Sequence, residues 1–522
     1  MDLGTVLRWT AERYPRRRAV GGTTPMTYIE WDARTNRLAR ALAEMGVRPG
    51  DRVAFLLAGG EPMASMHLAA QKLGAVSVPL SFRFGPAELA YCLQDAALTL
   101  LVTDNSTAET ADAALANISP IPRAHVGVAA DALLGVAPLD QIADRQPDGP
   151  LDVQVSDGDV SVMLYTSGTT GKPKGVPRTH SAEHHAAIAH LLQSRQSPFE
   201  ATLGVMPMFH TMGLRGLLAS IVSAGTWVPQ VRFDAEESLE LIVRERVSAL
   251  YLVPTIYWAL LRTGRLSEAE HVRKLAYAGA SMTPTLAEQL TGALEPDVFI
   301  NHFGSTEIYT FTIGSKVTAK PGCAGRAGVF SRVRLVEPDP AASPDAVVGP
   351  GEQGQIAVSM RSPEAFAGYW HRPDADAKSI RDGWYFPGDL ATADEDGDLW
   401  VAGRVDDMIN SGGENVYPDE IEDALIRCAA VSEVVVVGLS DDRWGQAATA
   451  FFVPAIGMTP DHAVAVLQSF VREQSGLPSL KRPKRLIAVE KLPRSGVGKI
   501  LRRELSSGNL PALADSNAET GR

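Results

Sequence analysis

Cysteine is scarce. The three in 522 residues, Cys92, Cys323 and Cys428, lie far apart with no paired spacing. That leaves no zinc cluster built from cysteines alone and no disulfide framework. Positive charge is also in short supply: 49 Lys and Arg stand against 61 Asp and Glu, a net charge of −12 that argues against a nucleic-acid-binding surface. No run of apolar residues approaches the roughly 18 that a membrane span needs. The first residues mix acids and bases without the apolar core of a signal peptide. A soluble protein of at least two domains remains, with a cytoplasmic enzyme as the expectation.

The densest chemistry lies in Tyr165-Thr166-Ser167-Gly168-Thr169-Thr170-Gly171-Lys172-Pro173-Lys174-Gly175, after the strand-like run Val162-Met163-Leu164. Glycines free the backbone to curl around an anion, hydroxyls and N–H groups supply donors, and Lys172 and Lys174 supply charge. Phosphate is the expected ligand. A Walker A loop is excluded, because Thr166 stands where its first glycine belongs and Pro173 where its Ser or Thr would bind magnesium.

Ahead of this loop, Trp31, Leu38, Leu42 and Met45 recur at helical spacing across Tyr28–Met45. Strands are expected at Val53–Leu57, Ala75–Leu80 and Thr99–Val102, with a helix at Pro62–Leu73 between the first two. Such alternation predicts parallel sheets covered by helices. Residues 105–157, rich in Ala, Asp, Pro and Thr, read as a variable surface region. Alternation resumes at Thr226–Val228, Ala235–Val247 and Ala249–Val253. Tyr277-Ala278-Gly279-Ala280-Ser281 ends a strand in small residues, and Ala280 is expected to wall an adenine or acid pocket.

Further along, Asn301-His302-Phe303-Gly304-Ser305-Thr306-Glu307 gathers a ring for a base, hydroxyls for phosphate and a carboxylate. Glu307 offers the hard oxygen that Mg²⁺ prefers. Asp389, ending the aromatic run Gly383-Trp384-Tyr385-Phe386-Pro387-Gly388, can accept both hydroxyls of a ribose. Three other patterns carry less. His180 and His184 could share a helical face and hold a metal, but a helix packing behind the loop with solvated imidazoles is the expectation. Gly349-Pro350-Gly351-Glu352-Gln353-Gly354 matches a dinucleotide fingerprint, yet the alternating residues after it predict a turn into a strand. Asp394-Glu395-Asp396-Gly397-Asp398 lacks the length and closing glutamate of a calcium loop and reads as a hairpin turn.

Together the loop at 165–175, Gln71–Leu80, Met206-Pro207-Met208-Phe209-His210, the Phe303–Glu307 segment and Gly403-Arg404-Val405-Asp406-Asp407 resemble the acyl-adenylate-forming (AMP-binding) superfamily. So does Gly498-Lys499 before the basic segment Ile500–Arg503. The resemblance runs from about Trp31 to Arg503 and is strongest to CoA ligases of the benzoate and 4-chlorobenzoate type. Phe303 replaces the more usual tyrosine of the family's aromatic-Gly-x-Thr-Glu motif. It implies a large α/β N-terminal domain (1–403), with parallel-type sheets covered by helices plus a small β-element. A hinge at Asp406 joins this to a small α+β C-terminal domain (404–507), followed by a disordered tail (508–522).

The implied roles follow the motifs. Lys499 is the catalytic lysine, Glu307 the magnesium ligand, and Thr166, Ser167, Gly168, Thr169, Thr170, Gly171, Lys172 and Lys174 the pyrophosphate cradle. His210 borders the acid pocket; Asn301, His302, Phe303, Gly304 and Thr306 surround the nucleotide; Arg404 joins Asp389 at the ribose. Gly412, Gly413 and Trp444 would meet coenzyme A, and Arg482 and Lys484, in the basic run Lys481–Arg485, its phosphates. The expected reaction is ATP-dependent joining of an aromatic or medium-sized organic acid to CoA by a monomer or homodimer. Two alternatives stay open: an adenylating enzyme with a carrier-protein, amine or other acceptor, and a non-catalytic nucleotide-binding scaffold.

Overall fold

In the computed structural model, the described residues are 1–116, 118–127, 136–166, 172–339, 341–407, 409–411, 414–416, 418–441, 445–478, 481–494, 500–506 and 510–516. The chain forms two compact units: residues 1–333, 358–385 and 397–399 in the first, and 334–357, 386–396 and 400 onward in the second.

The first unit opens on features set by short-range chemistry. Helix α1 (Tyr28–Glu44) starts where the Thr27 hydroxyl accepts from the Glu30 N–H and the Glu30 carboxylate accepts from the Thr27 N–H, a reciprocal cap. Its apolar face buries Trp31, Leu38 and Leu42. The Trp31 indole N–H donates to Ser65 Oγ at 2.8 Å, so the one polar atom of that ring is satisfied in the core.

Strand β1 (Arg52–Leu56) then leads through helix α2 (Gly60–Leu73) to β2 (Val76–Pro79), and β3 (Leu100–Thr103) follows. β2 and β3 flank β1 in parallel register, with Val53 opposite both Ser77 and Leu100. β4 (Val160–Thr166) adds in parallel beside β2, and β5 (Lys174–Thr179) pairs antiparallel with β4 at the edge of this seven-stranded sheet. Both faces are covered, so the strands read as near-continuous apolar runs.

Within residues 105–157 the structure departs from the sequence reading. Arg123–His125 and Ala137–Pro138 extend the sheet in parallel, and Ala108–Leu115 is a helix. Strands of two and three residues are too short to show a period, and the helix's buried face is made of alanines.

After β5, helix α3 (His180–Gln193) leads to β6 (Ala201–Gly204), α4 (Thr211–Val222), β7 (Thr226–Pro229), β8 (Ala249–Leu252), β9 (Lys274–Ala278) and β10 (Val298–Phe303). These strands make the middle of a nine-stranded sheet, with β8, β9 and β10 adjacent and parallel. Expected and observed limits of the helices and strands differ by up to three residues, the largest difference being at the end of the helix Ala235–Arg244, expected to run to Val247.

Further along the chain, β11 (Asp389–Ala393) and β12 (Leu399–Arg404) flank the turn at residues 394–398. The glycine-rich segment before Gln353–Ser359 is a turn into a strand, as the alternation predicts, with Gly351 at φ +79°. Helix α5 (Pro418–Leu425), strands β13 (Val431–Asp441) and β14 (Gly445–Pro454), helix α6 (Pro460–Glu473), strand β15 (Arg485–Ala488) and helix α7 (Arg502–Ser506) complete the α+β unit. Arg502 is its electrostatic hub: Nη2 donates to Asp419 at 3.0 Å, Nη1 donates to the Val436 carbonyl at 2.8 Å, and Glu422 accepts from both.

The expected disorder after residue 508 requires correction. Ala514–Asp515 is a strand paired antiparallel with β15, and Arg485 closes it by an ion pair to Asp515. The polar composition hid this, because two backbone rungs and one ion pair need no apolar run. No helix among the described residues is long and apolar enough to cross a membrane.

Candidate active site

Thr166 ends β4 and is opposed, across one rung of the β4–β5 ladder, by Lys174. Ser167, Gly168, Thr169, Thr170 and Gly171 lie outside the described residues. Lys172 is exposed, with Nζ 5.2 Å from the centre of the Tyr91 ring. Lys174 Nζ stands 4.2 Å from the centre of the Tyr369 ring, within cation–π range.

That same tyrosine reaches the second motif. Its hydroxyl donates to Glu307 Oε1 at 2.7 Å, and Glu307 is only 6% exposed. Burial, and then the neighbouring Glu307 charge, raise the Tyr369 pKa, so the phenol keeps its proton and remains a donor. A cation of the loop hairpin and the expected metal carboxylate thus share one ring. Sequence reading missed Tyr369, since its contact with Glu307 spans 62 positions.

The 303–310 segment leaves the end of β10 and folds back on itself. A Cβ at Gly304 would lie 2.2 Å from the Tyr309 carbonyl oxygen, so only glycine fits. Ser305 N–H donates to the Ile308 carbonyl. Phe303 is half-buried and meets Phe311 edge-on at 5.3 Å. Alternation along β10 sends its neighbours different ways. The Asn301 amide donates to the Cys323 carbonyl at 3.0 Å, while His302, 2% exposed, packs against His190 and Tyr251. Burial and the Arg215 charge push the pKa of His302 well down, which makes it a neutral core group.

Ala280 is exposed just past β9, after Gly279 at φ +84°. His210 is half-buried at the residue preceding α4, 4.8 Å ring-to-ring from Phe209. Of the α3 histidines, His184 and His185 are half-buried, whereas His180 and His190 are not solvated as the sequence suggested. His180 is fully buried, and its Nδ1 accepts the Leu3 N–H at 3.2 Å, so the ring is a helix-end anchor.

In the second unit Arg404 Nη1 donates to Asp389 Oδ1 at 2.8 Å, and Nη2 to the Pro387 carbonyl at 2.7 Å. Asp406 belongs to the short helical turn Val405–Asp407. Gly412, Gly413, Trp444 and Lys499 lie outside the described residues. In the basic run Arg482 Nε donates to the Leu477 carbonyl, Lys481 pairs with Glu420, and the Lys484 N–H joins the Ala448 carbonyl.

Comparison with known proteins adds to this geometry. The model of the AMP-binding enzyme family matches residues 7–370, and that of the AMP-binding enzyme C-terminal domain matches 420–499. The chain is similar to a feruloyl-CoA synthase of Amycolatopsis sp, 36% identical over 491 residues that cover 93% of this chain and 94% of that protein. A Mycobacterium tuberculosis fatty acyl CoA synthetase structure superposes with a TM-score of 0.76 at 30% identity, covering 97% of this chain and 98% of that one. The Bacillus subtilis o-succinylbenzoate CoA synthetase with its acyl-adenylate intermediate superposes with a TM-score of 0.82 at 26% identity, covering 96% and 97%. The same synthetase has also been solved with ATP and a magnesium ion, with a TM-score of 0.81 at 26% identity, covering 96% and 98%.

Proposed function

The chain belongs to the AMP-binding enzyme family and is an AMP-forming acid–thiol ligase, and from that premise we propose that it joins an aromatic or medium-sized organic acid to coenzyme A. The observation that carries the assignment of the first step is the Tyr369 bridge between Lys174 and Glu307. It ties a cation flanking the glycine-hydroxyl loop to a buried carboxylate, the pair of charges that a nucleotide triphosphate with its metal requires.

Glu307 fits a magnesium ion: it is a buried hard-oxygen donor whose orientation is fixed by a phenol. Bound there, the ion would neutralise charge on the phosphates. The rest is done by side chains. A carboxylate is a poor electrophile, because its charge repels nucleophiles and oxide is no leaving group. The substrate carboxylate oxygen attacks the α-phosphorus of ATP, the bond to pyrophosphate breaks, and an acyl-adenylate results. A thiolate then attacks the acyl carbon and AMP leaves.

Lys499 meets the charge on the α-phosphoryl group, while Thr166, the loop behind it, Lys172 and Lys174 hold pyrophosphate. Positioning and electrostatics are therefore the main source of rate. Phe303 and Ala280 flank the adenine, Asp389 and Arg404 the ribose, and His210 the acid. Turning about Asp406 would exchange Lys499 for Gly412, Gly413 and Trp444, with Arg482 and Lys484 toward the CoA phosphates.

Support for an aromatic acid comes from the feruloyl-CoA synthase and from a 3-hydroxybenzoate–CoA ligase of Aromatoleum sp, 32% identical over 510 residues covering 94% of each chain. Pyrophosphate exchange with a panel of benzoic, cinnamic and fatty acids tests the first step and ranks the acid. Product analysis with and without CoA then tests the acceptor. Exchange with no acid in the panel, or an acyl product formed equally well without CoA, would overturn the reading.

A further inference from the structure

Arg178 lies on β5, four residues beyond Lys174, and is completely buried. Its Nε is paired with Glu183, itself 1% exposed, and its guanidinium lies 3.6 Å from the centre of the Tyr309 ring. The Tyr309 hydroxyl donates to the other oxygen of Glu183 at 3.2 Å. From this fixed seat Arg178 Nη1 donates to two backbone carbonyls, those of Thr306 and Glu307, each at 3.1 Å. We propose that Arg178, locked by Glu183 and Tyr309, is a positioning residue that holds the Thr306–Glu307 backbone, and with it the Glu307 carboxylate, in register with β5.

Three observations carry this. The 304–307 segment lies between strands, so the Thr306 and Glu307 carbonyls need a donor from elsewhere. Arg178 supplies it from the strand that leaves the loop, 128 positions earlier in the chain. Moreover, Arg178 Nη2 is buried with no hydrogen-bond partner among the described residues. An apolar side chain of that volume would fill the core without this cost, so packing alone does not account for a guanidinium here. Glu307 is thereby held twice, by its carbonyl through Arg178 and by its carboxylate through Tyr369.

The inference rests on Glu307 acting as the metal ligand, and the test separates the two ideas. Magnesium is titrated into pyrophosphate exchange catalysed by the full chain, by E307Q, by R178K, and by the double variant R178M/E183Q, which removes both buried charges together. Thioester formation from supplied acyl-adenylate is followed in parallel. R178K and the double variant are expected to raise the half-saturating magnesium concentration or lower the exchange rate about ten- to a hundredfold, the usual cost of misplacing a reacting group. The second step should change by less than about twofold. If E307Q leaves the magnesium dependence untouched, the metal reading itself falls. If E307Q shifts it and both Arg178 variants titrate like the wild type, only the present inference falls. Failure of both Arg178 variants to fold, or equal loss in both steps, would likewise overturn it, because the pair would then serve the core as a whole.

Discussion

Tyr369 donates its hydroxyl to Glu307 at 2.7 Å while presenting its face to Lys174 at 4.2 Å. A positive and a negative charge thereby meet different parts of one side chain, the cation its ring face and the carboxylate its hydroxyl. Tyr369→Phe keeps the ring and its cation contact but removes the donor. A hydrogen bond to a charged group contributes about 1.5–3 kcal/mol, so the half-saturating magnesium concentration should rise about ten- to a hundredfold with a smaller change in KM for the acid. A magnesium titration of pyrophosphate exchange measures this; an unchanged curve would mean the phenol does not orient Glu307.

Lys499→Ala should abolish adenylate formation, by about a hundred- to a thousandfold for the loss of one charged contact, and still convert a supplied acyl-adenylate to thioester. Single-turnover assays of each half-reaction test this. Equal impairment of both would count against two separate orientations of the small domain.

Asp389 is pinned by Arg404 at 2.8 Å, so its carboxylate is already aimed before a nucleotide arrives. Asp389→Ala is expected to raise KM for ATP about tenfold or more and to leave the acid preference unchanged. Steady-state kinetics with ATP and with 2′-deoxy-ATP measure this: if Asp389 meets the ribose, the variant should discriminate less between the two nucleotides than the wild type does.

Acid should destabilise the protein in a definite window. Burial holds His67 down to about 3 and His180 down to about 4, from an ordinary value of 6.5. Below pH 6.5 the unfolded chain takes up protons that the folded chain refuses, so the unfolded state binds more protons and stability falls with pH. The loss runs from about pH 6.5 down to about 4 for His180 and about 3 for His67, at up to about 1.4 kcal/mol per pH unit for each histidine, and the contribution is complete above pH 7. Melting temperatures across pH 4–7.5 check the slope. His180→Asn keeps an acceptor for the Leu3 N–H and should flatten it; an unchanged slope would show that His180 does not contribute.

Much of this architecture is written locally. The Thr27–Glu30 cap, the apolar runs of β1 to β4 and the glycines of the 165–175 loop each report on residues within one turn or one strand, where propensity and period are decisive. What escaped was carried by distant pairs. Tyr369 looks like one aromatic among several and Arg178 like a strand-end cation, until the fold brings them to the Glu307 carboxylate and the Glu307 carbonyl respectively. His180 was misjudged for the same reason, since nothing near it in sequence announces that Leu3 will cover it. The tail strand at Ala514–Asp515 depends on β15, about thirty positions earlier.

The placement of Lys174 and Arg178 four residues apart on β5 constrains how this gene can change. Side chains on a strand alternate, so both cations share a face, and loss or gain of a single codon between them would turn one to the opposite face while the other stayed. Point substitutions in that stretch could be sampled one by one, but length variants would break either the Lys174 contact with Tyr369 or the Arg178 contacts with the carboxylate segment in a single event. Natural and engineered diversity in residue count should therefore gather outside 174–178, and a library of one-residue deletions along β5 should yield almost no adenylating clones.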